Sequence, residues 1–213
     1  MPEVTLRDLI AHLRERLSGS LPGPEAQLKM APSQRVAMLS DTRVENARPA
    51  AVLVVLEGDD EPRNEPNVVL TERRDDLPSH PGQISFPGGR QEPEELLLET
   101  ALREASEEIG LARTDVQILG QLSPLFVPPS NYLVYPFVAF SMEPLTLAPA
   151  DGEVRSIIRA PLSALLDPAN RRTEDRERYG KTVRIPLFDI AGSKVWGATA
   201  MMLAELIDLI ETD

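Results

Sequence analysis

The chain has 213 residues, 42% of them hydrophobic and 26% charged, which is enough to bury one good core and predicts a single domain with terminal decoration. Its formal charge of -12 excludes a sequence-independent grip on nucleic acid, which needs an excess of Lys and Arg to neutralise phosphates. The lack of cysteine removes disulfides, thiolate zinc sites and cysteine nucleophiles, and is compatible with a reducing compartment.

Acidic residues stand near the start where a secretory signal would carry basic ones, and the longest apolar run, residues 50–56, is far too short to span a bilayer. The expectation is a soluble, intracellular protein of the cytoplasm with no membrane partner. Leu6, Leu9, Ile10, Leu13 and Leu17 fall on one helical stripe, which predicts a peripheral helix over residues 5–17, capped by Thr5 and ended by Ser18 and Gly19. Residues 19–49 are rich in Pro, Ser, Gly and charge without a sustained period, so an irregular connection with one short turn of helix is expected. Apolar, β-branched runs at 50–56 and 68–71, separated by the turn-forming stretch GDDEPRNEPN, predict an antiparallel strand pair.

Helical spacing takes over at Pro93, a residue suited to the first helical position, and ends at Gly110, suited to the left-handed residue after a helix. Strands are expected at 116–122, 132–142 and 153–159, a short helix at 162–166, a strand at 182–187 and a closing helix at 198–211. The irregular alternation predicts an α/β (α+β) fold, an α/β/α sandwich with a mixed sheet, rather than a regular βαβ series. Residues 1–49 are assigned to the helix and connection, and residues 50–213 to the catalytic domain.

The helix after Pro93 has two faces. At about 100° per residue, Glu107 and Glu108 lie within roughly 60° of Glu104, while Leu98, Ala101, Leu102, Ala105 and Ile109 form a separate apolar stripe. Three carboxylates at the C-terminal half of a helix oppose its macrodipole and repel one another. A divalent cation would reverse both penalties, and Mg²⁺ or Mn²⁺ prefers hard oxygen ligands of this kind together with substrate phosphates. Ahead of the helix, Phe86, Pro87, Gly88 and Gly89 allow a sharp turn whose carbonyls can approach a metal and whose amides can approach a phosphate.

These residues spell a pattern: Gly89, five residues, Glu95, seven residues, then Arg103, Glu104, Ala105, Ser106, Glu107, Glu108, Ile109, Gly110 and Leu111. The stretch resembles the Nudix box at every defined position. Upstream, residues 70–89 (LTERRDDLPSHPGQISFPGG) are similar to the extension that marks the coenzyme A pyrophosphatase branch. Arg74 stands where that branch usually has a small residue, and Pro78 where it has a basic one. Residues 128–132, 151–154 and 195–200 also resemble the branch in order and spacing.

The resemblance implies a Nudix α/β/α sandwich that hydrolyses the pyrophosphate bond of coenzyme A or acyl-CoA to 4′-phosphopantetheine and 3′,5′-ADP. It implies Mg²⁺ or Mn²⁺ held by Glu104, Glu107, Glu108 and a loop carbonyl such as that of Gly88. Glu95 and Arg103 are expected to pair and orient loop and helix, and Glu107 and Glu153 are joint candidates for the base that deprotonates water. Arg73, Arg74 and His80, with the amides of Gly88 and Gly89, are the candidate phosphate contacts. His80 also reads as a residue that fixes its loop through the backbone. Trp196 reads first as an anchor of the closing helix, with adenine stacking as its alternative. Two other readings keep the fold: a pyrophosphohydrolase of ADP-ribose, NADH or another nucleoside diphosphate derivative, and a non-catalytic ligand-binding regulator, which the full set of glutamates opposes. The partner expected is a small-molecule substrate, with no nucleic acid, and a homodimer is left open.

Overall fold

The computed structural model describes residues 6–36, 42–58, 65–76, 82–150, 152–178 and 180–211. In chain order they form α1 (Leu6–Ser18), α2 (Pro24–Leu28), α3 (Ser33–Val36), a 3₁₀ turn (Thr42–Asn46), β1 (Arg48–Glu57), β2 (Asn67–Arg73), β3 (Ile84–Ser85), β4 (Gly88–Arg90) and α4 (Leu97–Ile109). After a 3₁₀ turn (Arg113–Asp115) come β5 (Gln117–Gln121), β6 (Leu125–Val127), β7 (Tyr132–Ser141), β8 (Val154–Pro161), α5 (Leu162–Leu166), a 3₁₀ turn (Pro168–Asn170), β9 (Arg171–Arg178), β10 (Lys181–Ile190), β11 (Ser193–Trp196) and α6 (Ala198–Glu211).

β1 is the axis of the main sheet. Its unbroken apolar run is the composition of a strand covered on both faces, and it is buried from Ala50 onward except at half-buried Val52. It runs parallel to β7 from Arg48 opposite Tyr132 to Glu57 opposite Ser141. β2 and β4 pair with it antiparallel, β8 flanks β2, and β5 and β6 flank β7, so the sheet is mixed, as expected. Strand alternation sends Ala51, Leu53 and Val55 to one face, where they join Val69 and the Ala101, Leu102, Ala105 and Ile109 stripe of α4. Val54, Leu56, Val68, Leu70 and Phe140 enter the opposite cluster, which holds the buried residues of α1 and α6. Helices thus cover both faces, giving the α/β/α sandwich.

Three expectations need correction. α1 is not peripheral: Leu6 and Leu13 are wholly buried, with Leu9 and Ile10 beside them, each such burial stabilising by about 1.5–3 kcal/mol. An amphipathic stripe shows that a face is covered, not what covers it. The proposed cap, Thr5, lies outside the described residues. The connection at 19–49 is more ordered than expected, holding α2, α3 and a 3₁₀ turn before β1 starts at Arg48. The fully buried Glu205 carboxylate of α6 holds α2 in place, accepting hydrogen bonds from Gly23 N at 3.2 Å, Gln27 Nε2 at 2.8 Å and Ser123 N at 3.1 Å. Finally, β9, β10 and β11 form a second antiparallel sheet, of which the expectation covered only part of β10. β9 reads RRTEDRER, with no apolar alternation to mark it, because it is an edge strand exposed along most of its length. Among the described residues no helix is long and apolar enough to cross a membrane.

Candidate active site

The sheet opens locally to receive the glycine loop. β1 pairs with β4 at residues 50–52 and with β2 only at residues 55–57, while the far end of β2 pairs with β3. Residues 84–90 therefore wedge between β1 and β2, fixed by Leu53 N donating to Pro87 O at 2.9 Å. At Gly88, φ is 153°, and any Cβ would overlap the Ala51 carbonyl and the Val52 backbone, so only glycine permits this approach. Gly89 faces the helix: a Cβ there would lie 2.5 Å from the Glu104 carboxyl carbon.

α4 starts later than its sequence predicts. Pro93 lies in a turn with Glu94, whose φ is 66°, and the N-cap is Leu96, whose amide is accepted by Glu99 Oε2 at 3.2 Å. The competing constraint is Glu95. Its carboxylate accepts from Arg103 Nε at 2.8 Å, Arg103 Nη2 at 3.2 Å, Thr100 Oγ1 at 2.8 Å and Glu92 N at 3.2 Å, which holds residues 92–95 as a turn instead of a helical start. Arg103 pulls the Glu95 carboxyl down to about 2, and Glu95 in turn holds the guanidinium above its ordinary value. The same guanidinium reaches Glu104 Oε1 at 3.0 Å, Glu107 Oε2 at 3.1 Å and the Arg90 carbonyl at 3.3 Å, so it is the hub joining loop and helix. Thr100, inside the seven-residue spacer, was not singled out from sequence; its signal is a place one turn before Glu104 and within reach of Glu95. The helix ends as expected, with Gly110 left-handed at φ 69°.

The three box glutamates take different environments. Glu108 is buried and accepts the Gly88 amide at 3.2 Å. Burial pushes its carboxyl up to about 7, opposed by that amide and by Arg73 and reinforced by the charges of Glu104 and Glu153. Burial also raises Glu104, against the pull of Arg103 and with the charges of Glu107 and Glu153 adding to it. Glu107 is exposed and engaged by Arg103. Among the described residues, no three carboxylate or imidazole side chains converge as a ready-made metal site. The donor chemistry nonetheless fits a hard divalent cation: two desolvated carboxylates, each raised further by the charge of Glu153, flank a glycine pair with no side chain to fill the space.

Strand alternation sorts the expected basic residues. Arg73 shares a strand face with Val69 and Thr71, the α4 side of β2, and its charge acts on Glu108. Its Nη1 lies 3.4 Å from Glu153 Oε2, and the Arg74 amide donates to the Glu153 carbonyl at 3.0 Å. Glu153, from the loop before β8, thus stands beside Arg73 with its charge felt at both Glu104 and Glu108. Arg74 points elsewhere, forming a two-pronged exposed pair with Asp76 at 2.9 and 2.8 Å. His80 lies outside the described residues. Trp196 does not open α6; it ends β11, with the Arg176 guanidinium 4.9 Å from its ring centre, and packs within the second sheet.

Comparison with known proteins agrees with this geometry. Residues 47–181 match the model of the NUDIX domain. The chain is 35% identical over 186 residues to a protein of Photorhabdus laumondii subsp. laumondii named uncharacterized Nudix hydrolase NudL, covering 87% of this chain and 94% of that one. A protein of the same name from Yersinia enterocolitica is 36% identical over 162 residues, covering 76% of this chain and 80% of that one. The crystal structure of a MutT protein from Methanosarcina mazei Go1 aligns over 78% of this chain and 98% of that one, with a TM-score of 0.50 and 17% identity, a likeness of fold. With the wedge of glycines, the Arg103 hub and the glutamates of α4 all inside the matched span, the chain belongs to the Nudix hydrolase family.

Proposed function

We propose that the protein hydrolyses the pyrophosphate bond of coenzyme A or acyl-CoA, giving 3′,5′-ADP and 4′-phosphopantetheine or its acyl form, with Mg²⁺ or Mn²⁺ as cofactor. The observation that carries the chemistry is the pair of desolvated carboxylates, Glu104 and Glu108, beneath Gly88 and Gly89 with the cation Arg73 across from them. Glu104 and Glu108, joined by Glu107 and the Gly88 carbonyl, are the residues to hold the metal, which when bound neutralises the charge developing on the phosphates.

The chain's own groups divide the remaining work. Arg73 supplies a guanidinium to a phosphate oxygen, and the backbone of Gly88 and Gly89 admits the substrate closely. Glu153 accepts a proton from water as that water attacks one phosphorus, the bond to the bridging oxygen breaks, and the bridging oxygen leaves on the second phosphate. Glu153 is favoured over Glu107 because it faces the buried pair from a separate loop, whereas Glu107 is committed to Arg103. Arg103 and Glu95 orient loop and helix without touching substrate. The choice of coenzyme A rests on the likeness of residues 70–89, with Arg73 a basic member of that stretch on the side of the carboxylates.

The test is a kinetic panel with coenzyme A, acetyl-CoA, ADP-ribose, NADH and nucleoside triphosphates in Mg²⁺ and in Mn²⁺. The coenzyme A compounds should lead in kcat/KM by about tenfold or more, which is about 1.4 kcal/mol of discrimination. A lead for ADP-ribose or NADH would overturn the substrate assignment and keep the reaction class.

A further inference from the structure

We propose that Arg73 has two alternative partners: Glu153 in the substrate-free protein, and a phosphate oxygen once a pyrophosphate compound is seated, the exchange releasing Glu153 toward the attacking water. The inference deepens the pyrophosphohydrolase reading and rests on it.

The backbone around Arg73 is fixed while its side chain is poorly matched. Arg73 N donates to Gln83 O at 2.9 Å, Arg74 N donates to Glu153 O at 3.0 Å, and the ladder to β8 shifts register between Glu72 and Arg73. From this base the guanidinium reaches Glu153 only at 3.4 Å, well beyond the roughly 2.7–2.9 Å of a good charge-assisted bond. Its Nε is buried with no hydrogen-bond partner among the described residues. A planar fork with one long bond and one unmet donor is matched by an anion that offers two oxygens side by side, as a phosphate does. Leaving Glu153 costs little desolvation, since its side chain is 61% exposed. The freed carboxylate keeps its backbone anchor beside β2, where the Glu153 carbonyl accepts from Arg74 N.

The experiment is a binding cycle with methylene diphosphonate, a non-hydrolysable pyrophosphate, titrated calorimetrically in Mg²⁺ into the wild type, R73Q, E153Q and the double variant. Removing a negative charge at Glu153 should by itself tighten binding equally whether or not Arg73 is present. If Glu153 competes for Arg73, E153Q tightens binding roughly tenfold more in the Arg73 background than in the R73Q background. R73K, which keeps the charge and loses the fork, should show little of that difference, and it replaces R73Q if the latter fails to melt cooperatively. Equal tightening in both backgrounds, or no binding by the wild type, overturns the exchange. Coupled binding without turnover on any compound of the kinetic panel would sink the pyrophosphohydrolase reading and leave the exchange standing; turnover without coupling does the opposite.

Discussion

Gly88 and Gly89 are neighbours that lack the same atom, yet a methyl group would fail differently at each. At Gly88 it meets the backbone of β1, which cannot yield, so Gly88→Ala is expected to destabilise the protein by about 1–3 kcal/mol, read as a lowered midpoint in urea. At Gly89 it meets the end of the Glu104 side chain, which can swing away. Gly89→Ala should therefore leave stability within about 1 kcal/mol of wild type while lowering kcat by roughly tenfold to a hundredfold, because a displaced carboxylate is a misplaced catalytic group. Equal loss of stability at both positions would show that Glu104 is held more rigidly than its surroundings suggest. At this scale the sequence was informative about residue types and poor about direction. Arg73 and Arg74 are adjacent and chemically identical, yet Arg73 ends β2 on the α4 side and acts on the carboxylates, while Arg74, the first residue past the strand, pairs with Asp76.

At the scale of the element, α4 owes its alignment to Arg103, whose guanidinium ties Glu95 in the preceding turn to Glu104 and Glu107 on the helix. Glu95→Gln should cost about 1.5–3 kcal/mol at neutral pH, the range for a hydrogen bond to a charged group. The pH dependence follows from the depressed carboxyl. Its folded value of about 2 lies below the ordinary 4.5, so its stabilisation is fully present above about 4.5 and is lost as pH falls toward about 2. The gap in Tm between wild type and Glu95→Gln is therefore expected to narrow between about pH 5 and about pH 2; a constant gap would place the stabilisation in packing. The helix was legible because its apolar stripe and Gly110 are local signals. Its start was not, since Pro93 advertises a helical position that the pinned turn around Glu95 overrides.

Across the whole molecule, the site sits where the main sheet is splayed by residues 84–90, and that splay is backed by helices on both faces. α1 belongs to this scaffold, so Leu13→Ala should lower stability by about 2–5 kcal/mol, and an unchanged urea midpoint would return the helix to the periphery. The sandwich, the strands of its centre and α6 were readable from apolar patterns because their faces are buried. The second sheet was hidden because β9 buries too little to carry a pattern, and in the main sheet β3, β4 and β6 escaped notice because they are only two or three residues long. Everything proposed for this splayed sheet requires Glu104 and Glu108 to form a metal-dependent hydrolytic centre. The direct measurement is coenzyme A hydrolysis, with products identified by mass, for wild type and Glu108→Gln with and without Mg²⁺. Wild type should release 3′,5′-ADP only with the metal, and Glu108→Gln should fall by about a hundredfold or more while keeping its Tm. Undiminished turnover by Glu108→Gln, or full activity after chelation, would contradict it.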